Sequence, residues 1–318
     1  MTDAARVLEV LYDSDHVFCS LPDLCSRCGV SRKRLMAAIE VLGHEGQLVE
    51  LSPHGARLKA PAALNAQLIE RGLKNRRVGG SVLCFSQVGS TNDVAFDAAQ
   101  RAECDGLAVF AERQTSGRGR FGRQWVSEPG ANLLASVLLI DESIPHDAVT
   151  IASGLAVAEA VENSAGVHCR LKWPNDVLIG DAKVAGVLVE TRKVNRRRCL
   201  VIGIGINVNA SPQADSLRRP ATSIAQHVEH VPRRIEIARE LLSRLDHWVG
   251  VIEAGRLDDI HGPWLDHCDM INSRVGITCS GRQYVGRVLD IDPTRGLCLS
   301  LDSGQNVFLP ASFSTMDA

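Results

Sequence analysis

The sequence lacks the features that mark membrane proteins and disulfide-rich secreted proteins. Its longest apolar stretches, near residues 131–140 and 151–161, are too short to span a bilayer. The N-terminal residues show no basic-then-apolar signal pattern, so we expect a cytoplasmic protein with no membrane partner. The ten cysteines lie mostly singly among apolar residues, which favours reduced, packed thiols.

One cysteine pair, Cys25 and Cys28, has the C-x-x-C spacing of metal and redox sites, with Cys19 nearby. The nearby histidines do not form a second ligand pair at zinc spacing. We therefore interpret these cysteines as core residues of a small helical domain, and we assign no metal-binding residues.

The N-terminal residues 1–75 predict a winged helix-turn-helix domain. Helical patterns at 4–12, 21–27 and 31–42 precede two short strand patterns at 47–51 and 56–60. Arg32, Lys33 and Arg34 open the third helix, and in this motif that end contacts DNA. Basic and acidic residues are equally numerous in this region, so a winged domain kept for packing or protein contacts stays an alternative.

The most informative segment reads GRGRFGRQW, from Gly117 to Trp125. Glycines let backbone amides approach a ligand closely, and arginines supply planar charged forks for phosphate or carboxylate. The segment also matches the dinucleotide fingerprint G-x-G-x-x-G, with Asp141 about 20 residues further on. That fingerprint requires a helix after its last glycine, and a proline and glycine that follow would break one. The segment therefore predicts an anion clamp, with a solvated basic loop as the alternative.

The central region predicts an α+β fold. Strand patterns at 168–172, 177–179, 184–191 and 199–208 are joined by short turns, so we expect antiparallel pairing and not a doubly wound sheet. Gly203 and Gly205 inside a strand indicate that another group approaches the backbone there. Ser90 and Asp93 have the spacing of a capping box at the start of a helix.

Several further motifs combine with the arginine segment. KWPND begins at Lys172, KVAG at Lys183 and GIGIN at Gly203, while Ser90-Thr91-Asn92 and Gln114 precede the arginine segment. Together, over residues 85–209, they resemble the biotin protein ligase family in its bifunctional form, the biotin operon repressor with ligase activity.

The resemblance implies three domains. These are a winged helix-turn-helix domain at 1–75, a class II synthetase-like catalytic domain with a mixed, mostly antiparallel sheet at 76–270, and an SH3-like β-barrel at 271–318. The barrel is expected to pack against the catalytic domain, and we assign no site residue in it.

The resemblance also implies the chemistry and its residues. Biotin and ATP would form biotinyl-5′-adenylate with Mg²⁺, and biotin would pass to a lysine of the biotin carboxyl carrier protein of acetyl-CoA carboxylase. The implied catalytic residues are Arg118, Arg120 and Lys183. The implied biotin site comprises Ser90, Thr91, Asn92, Gln114, Gly117, Arg118, Gly119, Arg120, Lys183 and Gly186. The implied ATP or adenylate site comprises Arg123, Trp125, Asn175, Asp176 and Asn207.

Some roles and functions stay open in the sequence. Asp176 either ligates Mg²⁺ or holds Lys172, and Trp125 and Trp173 either stack on adenine or wall the pocket. A biotin-responsive repressor that dimerises with ligand on operator DNA is compatible with the ligase. The alternatives are a ligase with an N-terminal domain that does not bind DNA, an octanoyl or lipoyl ligase, and an NAD-dependent enzyme.

Overall fold

The computed structural model describes residues 1–60, 62–212 and 220–316. Position 61 of the predicted winged domain, positions 213–219 of the predicted catalytic domain and the last two positions of the predicted C-terminal domain lie outside these ranges. The described chain forms a helical N-terminal part, a seven-stranded sheet flanked by helices, and a five-stranded C-terminal sheet. Within these ranges no helix is long and apolar enough to cross a membrane.

Three helices and a hairpin form the N-terminal part. They are α1 (Asp3–Asp13), α2 (Leu21–Cys28), α3 (Arg32–His44), β1 (Val49–Ser52) and β2 (Gly55–Leu58), and β1 pairs with β2 antiparallel. Gly29 ends α2 with a φ of 64°, a left-handed conformation that glycine adopts without strain. The Ser31 hydroxyl then accepts a hydrogen bond from the backbone N–H of Arg34 and caps α3. These elements lie where the sequence predicts helices and strands.

Seven strands form the central sheet. They are β3 (Val82–Phe85), β4 (Ala108–Ala111), β5 (Leu133–Ile140), β6 (Arg170–Lys172), β7 (Asp176–Ile179), β8 (Ala182–Val194) and β9 (Arg197–Ile206). The order is β3-β4-β5-β9-β8-β7-β6, and every neighbouring pair is antiparallel except β3 with β4. This sheet agrees with the α+β prediction and differs from the parallel sheet of a dinucleotide-binding fold.

Five helices surround this sheet. They are α4 (Ala66–Glu70), α5 (Thr91–Ala98), α6 (His146–Ala165), α7 (Arg234–Glu253) and α8 (Asp258–Asp266). The two faces differ because strand side chains alternate. On β9, Leu200 and Ile202 join the core formed with α6 and α7, whereas Cys199 and Val201 pack with α5. Gly203 continues the α5 face, so this face loses its side chains near the end of β9 and leaves room above the strand.

Among the described residues the C-terminal sheet contains five strands. Its strands are β10 (Arg274–Cys279), β11 (Arg282–Asp292), β12 (Gly296–Leu301), β13 (Asn306–Leu309) and β14 (Ser314–Met316), in the order β13-β12-β11-β10-β14. In residues 220–316, β13 and β14 are the two edges and no pairing closes the sheet into a ring. The barrel therefore stays a prediction.

Arginines at the start of α7 attach the N-terminal part to the central sheet. Arg233 donates to the carbonyl of Tyr12 at 2.8 Å, and its guanidinium lies 3.9 Å from the centroid of that tyrosine ring. Arg234, only 4% exposed, pairs with Glu112 at 2.6 Å and donates to the carbonyl of Ala62 at 3.0 Å. Buried charges of this kind are stable only when they are paired, so the junction is a packed contact.

Candidate active site

The arginine-rich segment forms a tight loop between β4 and β5. The N–H of Gly119 donates to the carbonyl of Arg123 at 2.7 Å, which folds the loop back on itself. Phe121 at the tip has a φ of 55° and is exposed, a strained conformation for a residue with a side chain. No helix follows Gly122, so the dinucleotide fingerprint has the wrong structural context.

Three glycines on β8 and β9 form the floor beneath this loop. Gly186 and Gly205 are cross-strand partners, and a Cβ atom on Gly205 would lie 2.3 Å from Cε2 of Trp125. A Cβ atom on Gly203 would lie 2.5 Å from Oδ1 of Asn92. The expectation that other groups approach the backbone at Gly203 and Gly205 is therefore confirmed.

A polar pocket lies where α5 begins. The Gln114 carbonyl oxygen Oε1 accepts hydrogen bonds from the N–H of Thr91 at 2.7 Å and its hydroxyl at 3.0 Å. The Ser136 hydroxyl lies 2.6 Å from Oδ1 of Asn92 and 2.7 Å from Oγ1 of Thr91. Asn92 also donates to the Glu190 carboxylate at 2.6 Å. The sequence analysis did not identify Ser136 or Glu190 as site residues. Ser136 could have been noticed as a hydroxyl within an otherwise apolar strand.

The predicted capping box at Ser90 and Asp93 is wrong. Ser90 makes no capping hydrogen bond with its side chain, and Asp93 forms two bonds of 2.7 and 2.8 Å with Arg118. The guanidinium of Arg118, with that of Arg192, holds the pKa of Asp93 below its ordinary value. Arg118 also pairs with Glu190 at 3.2 Å. Its charge is therefore already matched by two carboxylates, whereas the anion clamp predicted from the sequence would direct this charge at a ligand.

Arg120 has a different environment. Its partners in the described part of the chain are neutral: Oδ1 of Asn175 at 3.4 Å and the carbonyls of Ala311 and Ser312 at 2.5 and 3.1 Å. Burial lowers the pKa of Arg120 from its ordinary value, although an arginine remains charged. A half-buried cation with only neutral hydrogen-bond partners favours the binding of an anion.

The C-terminal segment therefore takes part in this site. Ala311 and Ser312 contact Arg120 through their carbonyls, and Thr315 and Met316 line the same cavity. The expectation that the C-terminal domain only packs, without site residues, needs correction. Backbone carbonyls leave no mark in a sequence, which is why the pattern of residue types gave no signal.

Lys183 and Asp176 form an ion pair beside Trp125. Nζ of Lys183 lies 2.5 Å from Oδ1 of Asp176 and 5.4 Å from the centroid of the Trp125 ring. Nearby, the Asn207 amide nitrogen donates to the Thr222 carbonyl at 3.0 Å. Oδ1 of Asn207 is buried and has no partner among the described residues. Side-chain oxygen and nitrogen groups thus meet on this side.

Residues from each of these groups line one cavity of about 580 Å³, a size typical of small-molecule sites. The predicted site residues that line it are Ser90, Thr91, Asn92, Gln114, Arg118, Gly119, Arg120, Arg123, Trp125, Asn175, Asp176, Lys183, Gly186 and Asn207. Gly117 is not among the lining residues; it is packed against the backbone of Trp125, whose carbonyl oxygen would lie 2.7 Å from a Cβ atom there. Trp125 and Trp173 both line the cavity, but Trp173 is only 1% exposed and belongs to the core.

Other candidate centres are weaker. All ten cysteines are free thiols, Cys25 and Cys28 included. Among residues 1–60, 62–212 and 220–316, no group of three or more His, Cys, Asp or Glu side chains is placed to hold a metal ion.

Known proteins are similar to this chain in sequence and in architecture. The profile of the biotin/lipoate A/B protein ligase family matches residues 84–207. The bifunctional ligase/repressor BirA of Bacillus subtilis is 30% identical over 306 residues, which are 94% of this chain and 94% of the relative. A biotin--[acetyl-CoA-carboxylase] ligase of Mycobacterium tuberculosis is 33% identical over 78% of this chain and 95% of its own length.

Solved structures agree with this. A biotin protein ligase from Aquifex aeolicus in complex with biotin superposes with a TM-score of 0.63 at 25% identity, over 74% of this chain and 97% of that chain. The likeness to the Bacillus subtilis protein extends over nearly the whole length of both chains. The chain therefore belongs to the biotin/lipoate A/B protein ligase family, and it is a ligase.

Proposed function

We propose that this chain is an ATP-dependent biotin protein ligase that modifies a lysine of the biotin carboxyl carrier protein of acetyl-CoA carboxylase. The observation that carries the proposal is a single cavity with a neutral polar pocket at one end and a cationic wall at the other. Thr91, Asn92 and Gln114 supply the first, and Arg120 and Lys183 supply the second. The named activities of the relatives support the same assignment.

The proposed ligase reaction has two steps. A biotin carboxylate oxygen attacks the α-phosphorus of ATP, the bond to the β-phosphate oxygen breaks, and pyrophosphate leaves with biotinyl-5′-adenylate remaining. The lysine amine of the carrier then attacks the biotinyl carbonyl, AMP leaves, and the amine loses a proton. Both steps bring negative charge onto phosphate oxygens, so fixed cations at Arg120 and Lys183 stabilise them.

The roles of the remaining cavity-lining residues are inferred from where they lie. Ser90 and Gln114 lie around the biotin end, whereas Gly186 lies beside Lys183 and Trp125, where the lack of a side chain allows a ligand close to the strand. Trp125, Arg123 and Asn175 lie on the side proposed for the adenylate. The arginine loop covers the cavity and would protect the anhydride from water.

Mg²⁺ fits the donors on the adenylate side. Asp176 and Asn207 both line the cavity, Oδ1 of Asn207 has no partner among the described residues, and oxygen is the ligand type that Mg²⁺ prefers. When bound, Mg²⁺ would neutralise phosphate charge there. Asp176 also pairs with Lys183, so it contributes to the orientation of that amine.

Titration tests the ligase directly. We expect the purified protein to bind biotin in a calorimeter, to release pyrophosphate when MgATP is added, and then to label a biotin acceptor domain. Octanoate and lipoate serve as matched acids, because they share the carboxylate but not the ureido ring. Turnover with octanoate or lipoate in place of biotin would contradict the proposed acyl specificity and leave the adenylation chemistry standing.

We further propose that residues 1–75 form a winged helix-turn-helix domain that makes the chain a biotin-responsive repressor. Arg32, Lys33 and Arg34 are exposed at the start of α3, and the Bacillus subtilis relative is named a ligase/repressor. Asp3 accepts two bonds from Arg34, at 2.6 and 2.8 Å, and Arg34 lowers the pKa of that carboxyl. DNA phosphate would have to displace Asp3, and a ligand-promoted homodimer would double the contacts on the operator.

The combined change Arg32→Ala and Arg34→Ala tests this role. We expect operator affinity to fall at least about 10-fold with a shallower salt dependence, because two phosphate contacts are removed. Fluorescence anisotropy with labelled operator DNA measures it, and the pyrophosphate assay on the same sample should be unchanged. Equal operator binding by the variant would refute the proposed recognition helix, whereas no operator binding by the unaltered chain would favour a ligase whose N-terminal domain does not bind DNA.

The domain organisation follows as a proposal, with a catalytic domain over residues 76–270 and an SH3-like domain over residues 271–318. The first contains the whole seven-stranded sheet and α5 to α8. The second contributes its final strand and the preceding turn to the cavity. The catalytic site would then be shared between two domains.

A further inference from the structure

The C-terminal segment that contacts Arg120 is itself held by a carboxylate on α6. The N–H of Ser312 donates to Oδ1 of Asp147 at 3.0 Å, and the N–H of Ala311 donates to Oδ2 at 3.1 Å. The carbonyl of Ala311 accepts from Nη2 of Arg120 at 2.5 Å. The N–H of Ser312 and the carbonyl of Ala311 belong to one peptide group, so that peptide connects Asp147 directly to Arg120.

We propose that Asp147 is a positioning residue for adenylate formation, acting through the peptide between Ala311 and Ser312 to orient the guanidinium of Arg120. This rests on the proposed ligase function. The carboxylate fixes the rotation of the peptide plane, and the plane fixes where its carbonyl oxygen points. A guanidinium bonded to that oxygen is then held in one of its many rotamers, which lowers the entropy lost when a phosphate binds.

Two observations support a dedicated role for this carboxylate. Asp147 lies in the first turn of α6, whose N-terminus has no side-chain cap, and both its oxygens bond to the C-terminal segment. Burial alone would raise the pKa of Asp147, but hydrogen bonds from His146 and Ser312 lower it below its ordinary value. The other ring nitrogen of His146 lies 3.2 Å from the carbonyl of Val189 on β8, which anchors the group to the central sheet.

The change Asp147→Asn tests the proposal, since it keeps the size of the side chain and removes one acceptor oxygen. We expect pyrophosphate release in single turnover to slow about 10- to 100-fold, the range for a misplaced catalytic group. Biotin affinity should stay within about twofold, because misplacement of Arg120 loses transition-state stabilisation and not ground-state binding at the pocket near Thr91. Asp302→Asn is the matched control, because Asp302 is an exposed carboxylate of the same C-terminal sheet, paired with Arg274.

A double-mutant cycle separates positioning from general packing. If Asp147 acts through Arg120, then Asp147→Asn should slow the reaction little further in an Arg120→Ala background. An effect of the same size in both backgrounds, or an equal loss of biotin affinity, would overturn the proposal. All four proteins are compared below the lowest of their thermal unfolding midpoints, so partial unfolding is not mistaken for misplacement.

Proteolysis gives a readout that does not depend on the ligase reaction. In the free protein, trypsin should cleave after Arg120 several-fold faster in Asp147→Asn than in the unaltered chain, because the guanidinium is released from the carbonyls. Cleavage after Arg196, in the exposed turn between β8 and β9, should not change. Unchanged cleavage after Arg120 would overturn the positioning role, whereas an unaltered chain that releases no pyrophosphate would overturn only the ligase.

Discussion

Replacing Lys183 by alanine is expected to slow pyrophosphate release in single turnover by about 100- to 1000-fold, the usual cost of removing one preorganised group that stabilises transition-state charge. The amine lies in the cavity wall, 2.5 Å from Asp176 and over the ring of Trp125. Its loss removes a fixed cation and also leaves the Asp176 carboxylate without its partner, which adds negative charge where phosphates must bind. Quenched-flow measurement with saturating biotin and MgATP reports the rate.

Lys193→Ala is the matched control for this change. Lys193 lies on the same strand, β8, but at its exposed end beside the turn to β9. Its substitution should leave both the rate and the thermal midpoint unchanged. A Lys183→Ala protein that releases pyrophosphate at the unaltered rate would remove Lys183 from the catalytic assignment, whatever happens to biotin binding.

The second large effect is expected from a single methyl group on the cavity floor. In Gly203→Ala, the new Cβ would lie 2.5 Å from Oδ1 and 3.1 Å from Cγ of Asn92, a contact that real structures do not tolerate. Asn92 is 4% exposed and its amide is fixed by Ser136 and Glu190, so it cannot move without breaking those bonds. We expect biotin affinity to fall about 30- to 100-fold, equivalent to losing about 2–3 kcal/mol of hydrogen bonding.

Calorimetric titration with biotin measures this loss, and Gly250→Ala controls for the change of residue type. Gly250 lies within α7, and a Cβ there meets no atom within 4 Å. Alanine at Gly250 should preserve biotin affinity and raise the free energy of unfolding by roughly 0.5–1 kcal/mol, since glycine weakens helices. Retention of full biotin affinity by Gly203→Ala would mean that Asn92 does not shape the pocket.

The central fold follows from local signals in the sequence. Short turns between the apolar runs of β6, β7, β8 and β9 permit only antiparallel pairing, and the structure has it. Gly203 and Gly205 gave a second local signal, because glycine within a strand has few explanations other than a close neighbour. The neighbours themselves, Asn92 and Trp125, come from distant segments, so the sequence indicated a close approach without identifying its source.

The parts that sequence reasoning missed depend on contacts between distant segments. Ser90 and Asp93 have the spacing of a capping box, but Arg118 offers Asp93 two charge-assisted bonds, which are stronger than a cap. Ala311 and Ser312 act through carbonyls and amides that every residue possesses. Their part in the cavity is visible only when the C-terminal sheet is placed beside the arginine loop.

The attachment of α1 to α7 limits how the two proposed activities can be separated. Tyr12 lies under the guanidinium of Arg233, and the carbonyl of Ala62 completes the buried pair of Arg234 and Glu112. A chain shortened by its first 75 residues would expose both arginines to water and remove these two carbonyl partners, although Arg233 would keep Glu236 and Arg234 would keep Glu112. Glu112 is two positions from Gln114, which lines the cavity. Truncation would therefore combine loss of DNA contact with damage to the central sheet. Because the N-terminal part is packed against α7, replacing it with the corresponding part of a relative would disturb the same contacts.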